Sequence, residues 1–173
     1  ITRVLDIEKK FIFNKNEEKS ADNATGFYHN IGLSKKVRLE FFNLDRNIER
    51  EKKTCNEVLH KYKLKKGDKF NIICDPYNNI KKKYIEKNVN INIHNLVEFP
   101  GLLIPLLKKS KEIHLIENSN SLIIYHLQYK SIIDKYKKVY LHRYCREDRM
   151  SPGGKILLEM FLNPKLDNWI IVE

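Results

Sequence analysis

Glycine and proline are scarce in this chain, 6 and 5 of 173 residues, and no GxGxxG or GxxxxGKS/T stretch occurs. That absence excludes the standard glycine-lined cradles for dinucleotides and ATP. Cysteine is equally sparse. Cys55, Cys74 and Cys145 lie far apart without CxxC or Cys/His spacing, which excludes a zinc site and a disulfide framework and leaves them as reduced, packed thiols. No apolar run reaches the roughly 18 residues of a membrane span, and no charged segment leads into a short apolar one as in a signal peptide. The expectation is a soluble, cytoplasmic protein without a transmembrane segment. The chain begins at Ile1 rather than Met, which leaves open whether it is a fragment of a longer protein.

Lysine is what the sequence has in excess. The formal net charge is +11 and the isoelectric point near 9.5, carried by runs such as Lys65-Lys66, Lys81-Lys82-Lys83 and Lys108-Lys109. Clustered basic residues are the footprint of phosphate-backbone binding. Tyr77, Tyr84, Tyr125, Tyr129, Tyr136 and Tyr140 lie among the lysines, which keeps a nucleic-acid-binding protein among the alternatives. The excess also travels with Asn and Ile, as drift in an A+T-rich genome produces, and lysine runs are usually a solvated face.

Apolar spacing organises the rest. From an expected N-cap at Asp45, Leu44, Ile48, Cys55, Val58, Leu59 and Tyr62 recur at helical spacing, with Arg46, Glu49, Arg50, Glu51, Lys52 and Lys53 on the other face; "KKGD" at 65–68 closes the segment. Five strand candidates follow: "KFNIICD" (69–75), "NVNINIHNL" (88–96), "EIHLIE" (112–117), "KVYLHRY" (138–144) and "NWIIVE" (168–173). Between them lie helical patterns at 101–111, 120–133 and 153–163. Strand alternating with helix predicts a Rossmann-like, three-layer α/β domain with a mainly parallel sheet over residues 66–173. Residues 1–65 form an N-terminal segment ending in the long helix.

In such a sheet, ligands bind where strands end and loops lead into helices. The loop Glu117 to Ser121 is one of these places. Asn118, Ser119, Asn120 and Ser121 are all helix-capping types, and the free N–H groups of a first helical turn attract phosphate or carboxylate. "HRYCRED" (142–148) brings His142, Arg143 and Arg146 to the end of another strand, where a cation can neutralise a diphosphate. Asp75 ends the first strand; it either starts an Asp-Pro turn or touches sugar or ribose hydroxyls. His94, His114 and His126 are read as packed rather than catalytic.

The series "FYHNIGL" (27–33), "RLEFFNLDRNIEREKKTCNEV" (38–58), "FNIICDP" (70–76), "SKEIHLIENSNSLIIYHL" (110–127) and "KKVYLHRYCRED" (137–148) resembles small glycosyltransferase-like proteins of bacterial polysaccharide clusters and large DNA viruses, which have the two-lobed GT-B fold. The resemblance covers the C-terminal, donor-binding lobe and the segment leading into it. It departs at Asn118-Ser119-Asn120, where the family carries a Ser-Ser-Phe pattern, and at Cys74, where it carries His. What it implies is a metal-independent transferase moving a sugar from a nucleoside-diphosphate donor to a glycan or lipid-linked acceptor. No further cofactor is implied. The donor would be held by Glu117, Asn118, Ser119, Ser121, His142, Arg143, Arg146 and Asp75. No residue is singled out as general base. Only about 65 residues precede the first strand, fewer than an acceptor lobe of more than about 100 residues needs, so a catalytically inactive structural or interaction module is the other alternative.

Overall fold

The computed structural model describes residue 40 and residues 42–94, 96, 100–116, 119–145 and 166–173. The helical pattern at 153–163 lies outside the described residues, as do Glu117, Asn118 and Arg146.

Among the described residues five strands form one all-parallel sheet: β1 (Phe70–Cys74), β2 (Val89–Asn92), β3 (Ile113–Leu115), β4 (Val139–His142) and β5 (Trp169–Val172), in the order β2-β1-β3-β4-β5. Each lies inside a segment whose apolar pattern predicts it. Among the described residues three helices accompany them: α1 (Ile48–Lys61), α2 (Ile104–Lys109) and α3 (Ser119–Tyr129), with 3₁₀ turns at Lys82–Tyr84 and Pro100–Leu103. The α/β, Rossmann-like architecture expected from alternation is therefore present.

Helix α1 starts two residues later than the capping pattern predicts. Asn47, rather than Asp45, is the N-cap, its side-chain oxygen accepting from Arg50 N–H at 2.9 Å. Glu51 also departs from expectation: it is 2 % exposed, on the packed side of the helix. Arg46 makes that burial tolerable with a two-pronged contact, Nε to Oε1 at 2.8 Å and Nη2 to Oε2 at 2.6 Å. Past the C-cap at Tyr62, Lys63 and Gly67 take positive φ, so the chain turns into β1.

Because side chains alternate across a strand, pairing sorts them into two faces. Phe70, Ile72 and Cys74 of β1 share one face with Ile91, Ile113, Leu115, Val139, Leu141 and Trp169, and all are buried. Cys55 and Val58 of α1, Leu106 and Leu107 of α2, and Ile124, Tyr125 and Leu127 of α3 complete this core. Trp169 is fixed at the β5 side of this core: its indole N–H donates to Gln128 Oε1 at 2.5 Å and its ring meets Tyr125 edge-on. Helix α1 thus belongs to the same hydrophobic core as the sheet.

The opposite face carries Asn71, Ile73, Glu112, His114, Tyr140 and His142. Parallel sheets are ordinarily apolar on both sides, since both are covered. Here the described cover on that side is the β1-to-β2 connection, with Tyr84 of its 3₁₀ turn against the His142 ring.

Candidate functional site

All five strands run the same way, so their carboxyl ends form one edge. Asp75, the start of α3, His142 and Arg143 all lie on it. The strand order reverses at β1, which sends its own connection to β2 on one side while β3 pairs on the other; ligands of open parallel sheets bind at such a reversal. Across it, Asn120 in the first turn of α3 donates from Nδ2 to Cys74 Sγ at 3.2 Å, and Ile116 N–H donates to Cys74 O at 3.3 Å. The loop after β3 is thereby fastened to the end of β1.

The expected site residues fare differently along this edge. Ser119 is the first residue of α3, so its backbone N–H belongs to the unpaired donors of the helix start. Ser121 is 1 % exposed and faces protein. Asp75 is also 1 % exposed, and both carboxylate oxygens hold the turn after β1: Oδ1 accepts from Tyr77 N–H at 3.0 Å and Oδ2 from Ile80 N–H at 2.8 Å. Its backbone carbonyl accepts from Asn92 Nδ2 at 2.7 Å, tying β2 to the same turn. Of the two alternatives for Asp75, this geometry fills the turn-forming one. Arg143 is half-buried and ion-paired with Glu173 at 3.3 Å, a contact between the ends of β4 and β5.

His142 points into the polar face, where sequence spacing gives no hint of its partner. Its Nε2 lies 3.0 Å from Nδ1 of His114, and both rings are fully buried. His114 and Tyr140, neighbours in register, stack at 4.7 Å with planes 7° apart. Glu112 follows in line: its Oε2 is 3.5 Å from His114 Nε2 and its Oε1 accepts from Tyr140 O–H at 3.3 Å. Over His142 lie the rings of Tyr84 and Tyr144, at 5.8 Å and 5.6 Å, and the Tyr144 hydroxyl accepts from Lys81 N–H at 2.8 Å.

Burial decides the charge state of this cluster. Loss of hydration pushes His114 down to about 4, with repulsion from His142 adding to it, and burial takes His142 to about 4 as well. Both imidazoles are neutral at pH 7. The Glu112 carboxyl is held above its usual range by burial and by the nearby Glu86. Because the two rings aim nitrogens at each other, those lone pairs cannot converge on an ion; among the described residues no group of three or more His, Cys, Asp or Glu is arranged to hold a metal.

A signal for this cluster existed in the sequence: Glu112 and His114, then Tyr140 and His142, place polar residues two apart in otherwise apolar strands. Their meeting required the β3–β4 register. The tyrosines interspersed with lysine do not form one surface. Tyr125 is fully buried, Tyr140 is spent on Glu112, and Tyr77 and Tyr136 are exposed. No helix among the described residues is long and apolar enough to cross a membrane.

The fold and this edge define an α/β domain of the Rossmann-like type. Compared with family models, curated proteins and solved structures, the chain matches none of them.

Proposed function

We propose that this chain is a glycosyltransferase, or the donor-binding lobe of one, that holds a nucleoside-diphosphate sugar at the carboxyl edge of its sheet. One observation carries the proposal: the start of α3, which follows β3 next to the reversal, and Arg143, which follows β4, lie on the same carboxyl edge. A helix start offers N–H donors and positive potential to a diphosphate, and an arginine offers a planar cation. In this scheme Ser119 and the first turn of α3 bind phosphate, and Arg143 leaves Glu173 to neutralise the leaving group. Asp75 shapes the pocket through the turn it holds rather than by touching sugar. The resemblance of the "EIHLIENSNS" and "KKVYLHRYCRED" segments to small glycosyltransferase-like proteins supplies the reaction class.

Titration calorimetry with UDP and with GDP, chelator present, tests it. One of the two nucleotides is expected to bind, with Ser119→Ala and Arg143→Ala each weakening it about tenfold, the scale of one charge-assisted hydrogen bond. Undiminished binding in both variants removes the site assignment.

A second arrangement is favoured by the commitment of Asp75 to its turn and the burial of Ser121. Both suit a domain that keeps the transferase fold as an interaction module. It predicts no binding of either nucleotide.

A further inference from the structure

The buried histidine pair has a direction. Each neutral ring carries one proton, so the 3.0 Å contact between His114 Nδ1 and His142 Nε2 allows two arrangements. In the first, His114 donates. Its Nε2 then turns a lone pair toward the Glu112 carboxylate 3.5 Å away, and His142 Nδ1 is left as a buried N–H; among the described residues neither atom has a hydrogen-bond partner. Both ends are unfavourable, because like charge density meets at one and an unpaired donor is buried at the other.

In the second arrangement His142 donates. His114 Nε2 then turns its proton toward the Glu112 carboxylate 3.5 Å away, an attractive contact though longer than a hydrogen bond, and His142 Nδ1 is left with a bare lone pair rather than a buried N–H. Unpaired acceptors are tolerated better than unpaired donors. Glu112 is itself steadied by the Tyr140 hydroxyl, and Tyr140 lies flat on His114, so the carboxylate and the middle ring are held in place.

We propose that Glu112, His114 and His142 form a polarised proton relay whose outer end, His142 Nδ1, is a base at the carboxyl edge of the sheet. The relay runs across the polar face from the start of β3 to the last residue of β4. Its outer end is covered by Tyr84 and Tyr144, which belong to connections rather than strands, and a hydroxyl-bearing acceptor reaches Nδ1 by displacing them. The charges around the pair are Glu112, Lys111 and Glu86, with Asp75 at the end of β1 and Lys81 over the Tyr144 ring. Tyr84, Tyr140 and Tyr144 are the uncharged titratable neighbours.

The use of this base rests on the glycosyl-transfer proposal. As the acceptor oxygen bonds to the anomeric carbon of the sugar, His142 Nδ1 takes the acceptor hydroxyl proton. The bond from that carbon to the phosphate oxygen breaks, and its electron pair leaves with the diphosphate. The imidazolium formed on His142 is stabilised through His114 by the Glu112 carboxylate, which acts as a positioning residue.

Two measurements on the full chain test the relay. The first is the imidazole ¹⁵N spectrum of the wild-type protein at pH 7, assigned with His114→Gln and His142→Gln. Both rings are expected to carry their proton on Nε2, with a pyridine-like Nδ1 on His142; a protonated Nδ1 on His142 overturns the relay whether or not a nucleotide binds. The second uses whichever of UDP-glucose or GDP-mannose the protein turns over. His142→Gln should lower turnover about 100-fold or more while leaving affinity for the nucleoside diphosphate within about threefold, the usual scale for a general base. Glu112→Gln should lower turnover less and redistribute the tautomers. Wild-type turnover in His142→Gln overturns the catalytic role. If neither donor is bound, the transferase assignment falls and the ¹⁵N spectrum alone decides the relay.

Discussion

The two faces of this sheet obey different rules. On one, Ile72, Leu115, Leu141 and Trp169 meet three helices, and stability comes from excluding water around close-packed apolar groups. On the other, Asn71, Glu112, His114 and His142 are equally dry but polar, with Tyr140 half-buried beside them. Burying polar groups costs stability unless each finds a partner, and two ring nitrogens there have none among the described residues. The contrast teaches where to look for chemistry: the apolar face maintains the fold, and the polar one keeps a cluster that a purely structural layer would replace with valine and isoleucine.

Three perturbations would break or sharpen this contrast. The largest effect is expected from the apolar side: Leu115→Ala removes a fully buried side chain from the central core and should cost about 2–5 kcal/mol in a urea melt. Acid should act on the polar side. His114 and His142 titrate near 4 when folded and near 6.5 when unfolded, so the unfolded chain binds more protons between those values. Stability present above pH 6.5 is therefore lost as pH falls toward 4, by about 3 kcal/mol for the first ring to be protonated. Glu112, with its carboxyl raised, pulls weakly the other way in the same range. A series of urea melts between pH 7.5 and 4.5 that shows no decline would contradict the burial of neutral rings. The smallest net change should come from removing the pair altogether. His114→Leu alone leaves His142 without its partner and should cost about 1–3 kcal/mol, whereas His114→Leu with His142→Leu should recover most of that loss and come close to wild type.

How much was legible beforehand depends on how far apart the participants lie. All five strands fall inside segments chosen by local apolar pattern, because strand burial writes itself into neighbouring residues. Helix α1 is equally plain, except at Glu51: a glutamate one turn before a cysteine reads as surface, and only the fork from Arg46 explains why it is inside. Ser121 and Asp75 stand out by residue type and by position near a strand end, and both lie at the carboxyl edge. Type alone cannot say whether a hydroxyl or carboxylate faces solvent or a backbone N–H. The histidine pair was the least legible feature, since His114 and His142 are 28 residues apart and each looks like an isolated packed ring until the β3–β4 register is known.

The connection from β1 to β2 is held mainly by polar ties, with the Tyr84 ring laid against His142 and Tyr144. Asp75 grips Tyr77 and Ile80, Tyr144 accepts from Lys81, and Glu86 pairs with Lys111; Ile80 is its one buried apolar side chain. A segment so attached forfeits little apolar contact when it lifts. Its opening would bare the histidine face while the helix-covered layer stays folded. Access to the buried His114–His142 pair would then be governed by the opening of that connection rather than by unfolding of the whole domain.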